Sequence, residues 1–290
     1  MITVGIPTYS GASDLLPWCL QGVRERSKDD GVPYEIVVVD DSGNTAHHTK
    51  SRDVADRFGA RWIAHDKNEG ITAGWNTLVR ASSTPMIALL NDDIIVTPGW
   101  LQAIDYFLRM NPNAGAVGLG IQFITREDVP TLLASPGARV VPRHHATKAA
   151  LPAAEWENRE SATPSCMMCP IGCSFAFTRE KYDLVGGFDR RTRQFYNESW
   201  FGTALAEKGH PSYAISHPLL WHIWSATFQK SGELLKDDPM TKDRAAYKAH
   251  FGGDFDVTDP RVMAPFRGIE KKHTVHWLTH DGPKSGDAYA

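Results

Sequence analysis

The chain has 290 residues, of which 42% are hydrophobic and 22% charged, a composition typical of a folded globular protein and not of a disordered or fibrous one. Its net charge of -3 gives no general attraction to nucleic acid or to an anionic membrane. No segment is apolar for long enough to cross a bilayer, and the N-terminus lacks the basic start of a signal peptide. We therefore expect a cytoplasmic protein.

Short apolar runs and helical periods alternate in the first part of the chain. Buried strands are predicted at residues 2–6, 34–39, 61–64, 86–90 and 114–119. Helices are predicted after a cap at Ser13 or Asp14, at 52–58, from Thr72, and around 101–108. This alternation predicts an α/β fold with a doubly wound, mostly parallel sheet.

The rest of the chain is less regular. Residues 122–165 show no sustained period and are interpreted as an irregular excursion over one face. Further elements are predicted as strands at 173–177, 213–215 and 219–224, and as helices from 178 and at 199–208, the last ended by Gly209. The polar tail after residue 256 is expected to wrap the domain or contact a neighbour, and residues 281–290 to be mobile.

Polar turns follow three of the predicted strands. They are Pro7-Thr8-Tyr9, Asp40-Asp41 and Asn91-Asp92-Asp93. Ligands of open α/β sheets bind beyond the carboxyl ends of the strands, and adjacent carboxylates repel unless a cation offsets their charge. Mg²⁺ and Mn²⁺ prefer oxygen ligands and leave positions for phosphate oxygens and water. The pattern predicts a site for a cation and a hydrogen-bonding ligand.

Further short motifs follow in a fixed order. They are Val4 to Tyr9, Ile36 to Ser42, Asn68-Glu69-Gly70, Gly74-Trp75-Asn76, Leu89 to Asp93, Gly186-Gly187-Phe188-Asp189, Asn197-Glu198-Ser199, and His222 with Ser225. Together they resemble the inverting, family-two glycosyltransferases of GT-A fold, over residues 1–255. The resemblance implies a nucleotide-sugar-binding half (1–121), an acceptor-side and catalytic half of the same domain (122–255), and a partly mobile C-terminal extension (256–290).

The resemblance also implies a donor-binding set in the first half. Base and ribose would lie against Pro7, Thr8, Tyr9 and Asp40 or Asp41, the next loop would supply Asn68, Gly70 and Asn76, and Asn91 and Asp92 would contact ribose or sugar. The acidic pair could instead form a plain turn, and the 68–76 residues an ordinary loop and cap.

For the metal, Mn²⁺ or Mg²⁺, the resemblance implies Asp93 as direct ligand and His222 as the residue that completes the site. Asn91 departs from the family pattern, which has Asp there. A hydrogen-bonded core histidine is the alternative for His222, and His217 is a weaker competitor because it precedes Pro218. The metal would stabilise the charge of the leaving group.

Inverting transfer needs one general base to deprotonate the acceptor hydroxyl. The family takes it from an acidic pair, of which only Glu198 survives because Ser199 stands in the second place. Glu198 is therefore the candidate base, with a helix-entry acid as its alternative and Asp189 as the fallback base. Nearby tryptophans could stack on a sugar or pack in the core: Trp200, Trp221 and Trp224.

The cysteines leave a second metal site open. Cys19 is expected to be buried on a helix. The others form C-x2-C-x3-C, at Cys166, Cys169 and Cys173, which His144 or His145 could complete as a zinc site. Reduced, partly buried thiols are the favoured interpretation, because structural zinc sites usually show two paired ligand sets.

The resulting prediction is a metal-dependent hexosyl- or pentosyltransferase that uses a nucleotide-sugar donor, UDP-linked first, and an unidentified hydroxyl acceptor, which could be a glycan. A sugar nucleotidyltransferase and a non-catalytic binder are the alternatives, although residues 9–14 lack the basic residues that hold a triphosphate. A nucleic-acid acceptor is a less favoured alternative, since it rests on short basic clusters at residues 143–148 and 271–273. The oligomeric state is not predicted.

Overall fold

The computed structural model describes residues 1–9, 14–135, 164–167, 170, 172–223, 238–253, 273–279 and 281–288. Its strands are β1 (Ile2–Thr8), β2 (Tyr34–Asp40), β3 (Arg61–Ala64), β4 (Met86–Leu90), β5 (Ile94–Ile95), β6 (Val117–Ile124), β7 (Ser165–Met167), β8 (Ser174–Thr178), β9 (Ser212–Ile223), β10 (His273–Thr279) and β11 (Gly282–Ala288). Its α-helices are α1 (Leu15–Ser27), α2 (Thr45–Arg57), α3 (Ile71–Ala81), α4 (Trp100–Met110), α5 (Val129–Ala134), α6 (Arg179–Leu184), α7 (Asn197–Glu207) and α8 (Pro239–Phe251).

The central sheet has the order β3-β2-β1-β4-β8-β6-β9-β5, with β7 paired to β9. Strands β3, β2, β1 and β4 are parallel, because each helical crossover returns the chain to the same end of the sheet before the next strand begins. The later strands include antiparallel pairs, where β8 lies against β4 and β5 against β9. The predicted α/β class is confirmed, with a mixed sheet.

Helices cover both faces of this sheet. One hydrophobic cluster joins β1 and β4 to α1 and α4, through residues such as Leu20 and Phe107. The cluster on the other face joins β2 and β8 to α3 and α7, through Trp75 and Phe201. Strands buried on both faces are typical of sheets between two helical layers. The two helical layers therefore fix the positions of the carboxyl ends of the parallel strands.

Several element boundaries differ from the prediction. Helix α2 begins at Thr45, seven residues before the predicted start, because the side chain of Asn44 caps it by accepting from the amides of Ala46 and His47. Strand β6 extends to Ile124, and the two predicted short strands after residue 212 form the single strand β9. The two strands pair in parallel with a shift of register between Leu119 and Ile121, and this long pairing extends both.

The C-terminal segment contains a hairpin of β10 and β11. Its backbone is hydrogen-bonded to the first residue after α4: the Asn111 side chain donates to the carbonyl of His276 at 2.8 Å and accepts from the amide of His276 at 3.0 Å. Residues 281–290 were expected to be mobile, whereas Gly282–Ala288 is a paired strand. No helix in the described ranges is long and apolar enough to span a membrane.

Candidate active site

The carboxyl ends of β1, β2 and β4 meet at one edge of the sheet, as predicted. The amide of Asp41 donates to the carbonyl of Thr8 at 2.9 Å, and the Thr8 hydroxyl donates to Oδ2 of Asp92 at 2.6 Å. Tyr9 follows Thr8 directly, and Pro7 lies within β1. Asn91 is half-buried, and its amide donates to the carbonyl of Cys173 at 2.9 Å. Parallel pairing thus brings the three predicted turns together.

Asp93 and His222 lie side by side, although they are 129 positions apart in the sequence. Strand β5 places them there, because Ile94 pairs with His222 across the ladder to β9 and the amide of Ile223 donates to the Asp93 carbonyl at 2.9 Å. Oδ1 of Asp93 is 3.3 Å from Nε2 of His222. A carboxylate and an imidazole at this separation suit one divalent cation between them.

The donor set at this pair fits a metal that also binds a ligand. Among the described residues, the buried Oδ1 of Asp93 has the imidazole of His222 as its ion-pair partner, and a carboxylate oxygen keeps a further lone pair that a cation can use. Within the described ranges, no group of three or more metal-ligating side chains is present. Two protein ligands would leave the other coordination positions to phosphate oxygens and water.

Burial and neighbouring charges shift the pKa values of Asp92 and His222. Burial and the neighbouring charge of Asp93 raise the pKa of Asp92 to about 7, against the hydrogen bond from Thr8. Burial lowers the pKa of His222, but the charge of Asp93 and the hydrogen bonds with Asp93 and Cys173 raise it to about 10. Asp92 is therefore about half-protonated near neutral pH, and a protonated His222 offsets the charge of Asp93.

The side chain of Asp40 is fully buried and already bound by the protein. Its oxygens accept from the amide of Ser42 at 2.9 Å, from Nδ1 of His47 at 2.7 Å, and from the hydroxyl of Ser51. Burial raises the pKa of Asp40, but these hydrogen bonds, led by that of His47, lower it below its usual value. Asp40 thus organises the start of α2.

Asp41 holds the donor-side loop, which we define as residues 65–70. Its carboxylate accepts from the amides of Glu69 at 2.9 Å and Gly70 at 2.8 Å. It also lies 2.7 Å from Nδ1 of His65, and this hydrogen bond is the main reason why the pKa of His65 is raised. Contact with a donor through these carboxylates stays a prediction for both Asp40 and Asp41.

The remaining predicted donor residues divide into two groups. Asn68 and Gly70 belong to the donor-side loop, where Oδ1 of Asn68 accepts from the amide of Gly70 at 3.0 Å. Asn76 is directed elsewhere: it donates to the carbonyl of Phe188 at 2.8 Å and accepts from its amide at 3.1 Å. It also accepts from the hydroxyl of Tyr182 at 2.6 Å, so this side chain supports the Gly-Gly-Phe-Asp turn.

Glu198 lies in the first turn of α7. A Cβ added to Gly172 would lie 2.8 Å from the carboxyl carbon of Glu198, so the backbone just before β8 packs against the carboxyl group of Glu198. The next residue, Cys173, contacts both the Asn91 amide and His222. Burial raises the pKa of Glu198, which makes it a stronger base than an exposed glutamate.

Asp189 and two of the three tryptophans are engaged in contacts within the protein. Asp189, the fallback base, accepts two hydrogen bonds from the guanidinium of Arg191, at 2.9 and 2.6 Å, and this pairing lowers its pKa. Trp200 and Trp221 are buried and pack within the protein. Trp224 lies outside the described residues.

The cysteines agree in part with the prediction. Cys19 is buried, and its thiol donates to the carbonyl of Asn91 at 3.7 Å, so it also supports the acidic turn. Cys166 and Cys173 are free thiols of intermediate exposure. Cys169 and the histidines at 144 and 145 lie outside the described residues, so the zinc alternative stays a prediction.

The fold, with an acidic turn at its strand ends, is that of the GT-A class. The sequence matches the model of Glycosyl transferase family 2 over residues 3–148, which is 146 of 290 residues, just over half of the chain. This protein belongs to that family. The search of curated proteins finds no significant match.

Solved structures share the fold at low sequence identity. GalNAc-T7, crystallised with UDP, GalNAc and Mn²⁺, is 16% identical with a TM-score of 0.59, over 77% of this chain and 44% of that one. The mannosyltransferase PcManGT from Pyrobaculum calidifontis, in complex with GDP-Man and Mn²⁺, is 19% identical with a TM-score of 0.58, over 92% and 67%. TarS residues 1–349 from S. aureus are 12% identical with a TM-score of 0.53, over 89% and 73%. This chain thus spans less than half of GalNAc-T7.

Proposed function

We propose that this protein transfers a sugar, with inversion and with the help of Mn²⁺ or Mg²⁺, from a nucleotide-diphosphate sugar to an acceptor hydroxyl. The observation that carries the proposal is the pair of Asp93 and His222, 3.3 Å apart and next to the Thr8–Asp92 hydrogen bond. UDP is the first candidate nucleotide. The complexes of GalNAc-T7 with UDP and of PcManGT with GDP-Man support a nucleoside diphosphate without deciding the base.

Three residues would have separate roles in this reaction. Asp93 and His222 would hold the cation, which when bound stabilises the charge of the departing diphosphate. Glu198 would accept the proton of the acceptor hydroxyl as that oxygen attacks the anomeric carbon. Its carboxyl group packs against Gly172, and this partial burial raises its basicity.

A thermal-shift screen tests the donor and the metal together. UDP, GDP, dTDP and CMP, each with and without its sugar, are added in the presence of Mn²⁺. We expect one diphosphate to raise the unfolding temperature and expect EDTA to abolish this rise, because a ligand that binds the native state stabilises it by mass action. If none of the nucleotides changes the unfolding temperature, the proposal is wrong.

A non-catalytic binder on the same fold is the second candidate, because Ser199 occupies the place of the family's second acid and is itself buried. The discriminating measurement is Mn²⁺-dependent hydrolysis of the donor found in the screen. We expect Glu198→Gln to lower kcat by about a hundredfold or more. The control is Glu207→Gln, an exposed glutamate at the other end of α7, which should leave kcat unchanged. Donor binding without any hydrolysis by the natural chain would favour the binder.

A further inference from the structure

A contact between two loops joins the donor side of the site to the segment that leads into Glu198. Nη2 of Arg193 donates to the carbonyl oxygen of Asn68 at 2.8 Å and to the side-chain oxygen of Asn68 at 3.0 Å. The backbone of Arg193 adds a second link, because its carbonyl accepts from the amide of Thr72 at 3.3 Å. One residue therefore binds both the donor-side loop and the start of α3.

Gly70 leaves no clearance at this contact. Its φ is +92°, and an added Cβ would lie 2.4 Å from Cγ of Arg193 and 2.7 Å from the Arg193 carbonyl oxygen. Only glycine combines this backbone conformation with so close an approach. Although Arg193 is exposed, this close approach and its hydrogen bonds to Asn68 link a shift of the donor-side loop to Arg193.

The chain after Arg193 is fixed from the opposite side. Asp243 of α8 is buried, and its Oδ2 accepts from the amides of Gln194 and Phe195, both at 2.7 Å. Tyr196 follows with a φ of 59° and leads directly into α7. Residues 193–196 thus lie between two anchors, and Glu198 comes two residues later.

A continuous series of contacts therefore runs from Asp41, through the donor-side loop and Arg193, to the entry of α7. We propose that Arg193 is a positioning residue that couples the donor-side loop to Glu198. Its catalytic meaning rests on the function proposed above, but the coupling itself is a property of the chain. Arg193 acts through the two loops and needs no contact with a substrate.

Hydrogen exchange of the protein without ligand tests the coupling. Arg193→Ala should accelerate exchange by about tenfold, the scale of one charged hydrogen bond, in the amides of residues 69–72 and also of 194–198. The control is Arg190→Ala, since Arg190 is exposed like Arg193 but contacts the same loop through an ion pair with the side chain of Glu69, at 2.8 Å. It should change neither segment. Acceleration confined to residues 69–72 would overturn the proposal.

A second variant covers the case in which Arg193→Ala accelerates exchange throughout the molecule. Asn68→Ala removes one of the two acceptors of Arg193 and the side-chain acceptor of the Gly70 amide, and leaves residues 194–198 themselves unchanged. We expect it to accelerate exchange at 194–198 all the same, by a smaller factor. Unchanged exchange there would mean that the two loops move independently.

Steady-state hydrolysis of UDP-glucose with Mn²⁺ gives a readout that a purely structural role would not move. Arg193→Ala should lower kcat about tenfold and also raise KM, because it loosens both loops. Asp243→Asn weakens only the Glu198 side, so its kcat should fall while KM stays within about twofold. A change of KM alone in Arg193→Ala would contradict the coupling. If the natural chain hydrolyses no nucleotide sugar, the proposed function fails, while hydrogen exchange still decides the coupling.

Discussion

Neighbouring polar residues at the strand ends differ in how much of their hydrogen-bonding capacity the protein itself uses. The oxygens of Asp40 and Asp41 accept several protein hydrogen bonds. The buried Oδ1 of Asp93, by contrast, has a single partner among the described residues, the imidazole of His222 at 3.3 Å. Because a carboxylate oxygen can accept more than one contact, this oxygen keeps capacity for a ligand or cation.

Asn76 offers a test at the scale of one residue. Asn76→Ala removes the side chain that pairs with both the amide and the carbonyl of Phe188, and leaves these buried groups unsatisfied. We expect the free energy of unfolding to fall by about 2–3 kcal/mol, measured by urea denaturation. The exposed Asn113 gives a matched control, and Asn113→Ala should change the stability by less than about 0.5 kcal/mol. Equal effects would contradict a supporting role for Asn76.

The sequence predicted which residues gather at the site better than it predicted what each one does. Thr8, Asp92 and Asp93 could be placed from strand ends, and His222 from the resemblance. The hydrogen bonds of Asp40 with His47 and of Asp41 with His65 were not predicted, although both histidines follow the acidic pair closely enough in the sequence to be candidate partners. Arg193 and Asp243 gave no such signal, because their partners lie 125 and 49 residues away and only the folded chain brings them together.

At the scale of elements, the loop after β2 is packed against the loop after β3. Gly43 has a φ of +61°, and an added Cβ would lie 2.6 Å from Cα of Lys67. Gly31 has a similar φ of +66° but nothing within 4 Å of an added Cβ. Substitutions at the two glycines therefore distinguish two energetic costs: that of a side chain in this backbone conformation, which applies at both positions, and that of the close approach, which applies only at Gly43.

Alanine at each of these positions gives the second prediction. Gly31→Ala should destabilise the protein by about 1 kcal/mol, the cost of a left-handed conformation for alanine. Gly43→Ala should cost about 1–3 kcal/mol more, because the methyl group forces the backbone of Lys67 to shift. Urea denaturation measures both variants. The same loss of stability in both would show that the two loops do not pack tightly.

The parallel strands were predictable because each is a short apolar run buried on both faces. Strands β1, β2 and β4 are of this kind, and their predicted bounds agree with the structure within two residues. Strand β5 has only two residues and exists because β9 pairs with it, so no local pattern marks it. The same holds for the extended end of β6, whose length is set by β9.

At the scale of the whole molecule, the C-terminal hairpin shares the main hydrophobic core. Val275, Trp277 and Ala288 belong to the same buried cluster as Phe107 of α4 and Leu20 of α1. The alternation of buried and exposed positions along β10 explains this placement, because one face of a strand meets the core and the other meets solvent. The hairpin is therefore expected to unfold together with the sheet.

Trp277 tests this shared core. Trp277→Ala should lower the free energy of unfolding by about 3–5 kcal/mol, the usual cost of truncating a buried aromatic side chain. Thr274 lies three residues earlier on the same strand and is exposed, so Thr274→Ala should change the stability by less than about 0.5 kcal/mol. Urea denaturation followed by circular dichroism should show one cooperative transition for both variants. A separate early transition in Trp277→Ala, with the main midpoint unchanged, would show that the hairpin folds apart from the sheet and contributes nothing to its core.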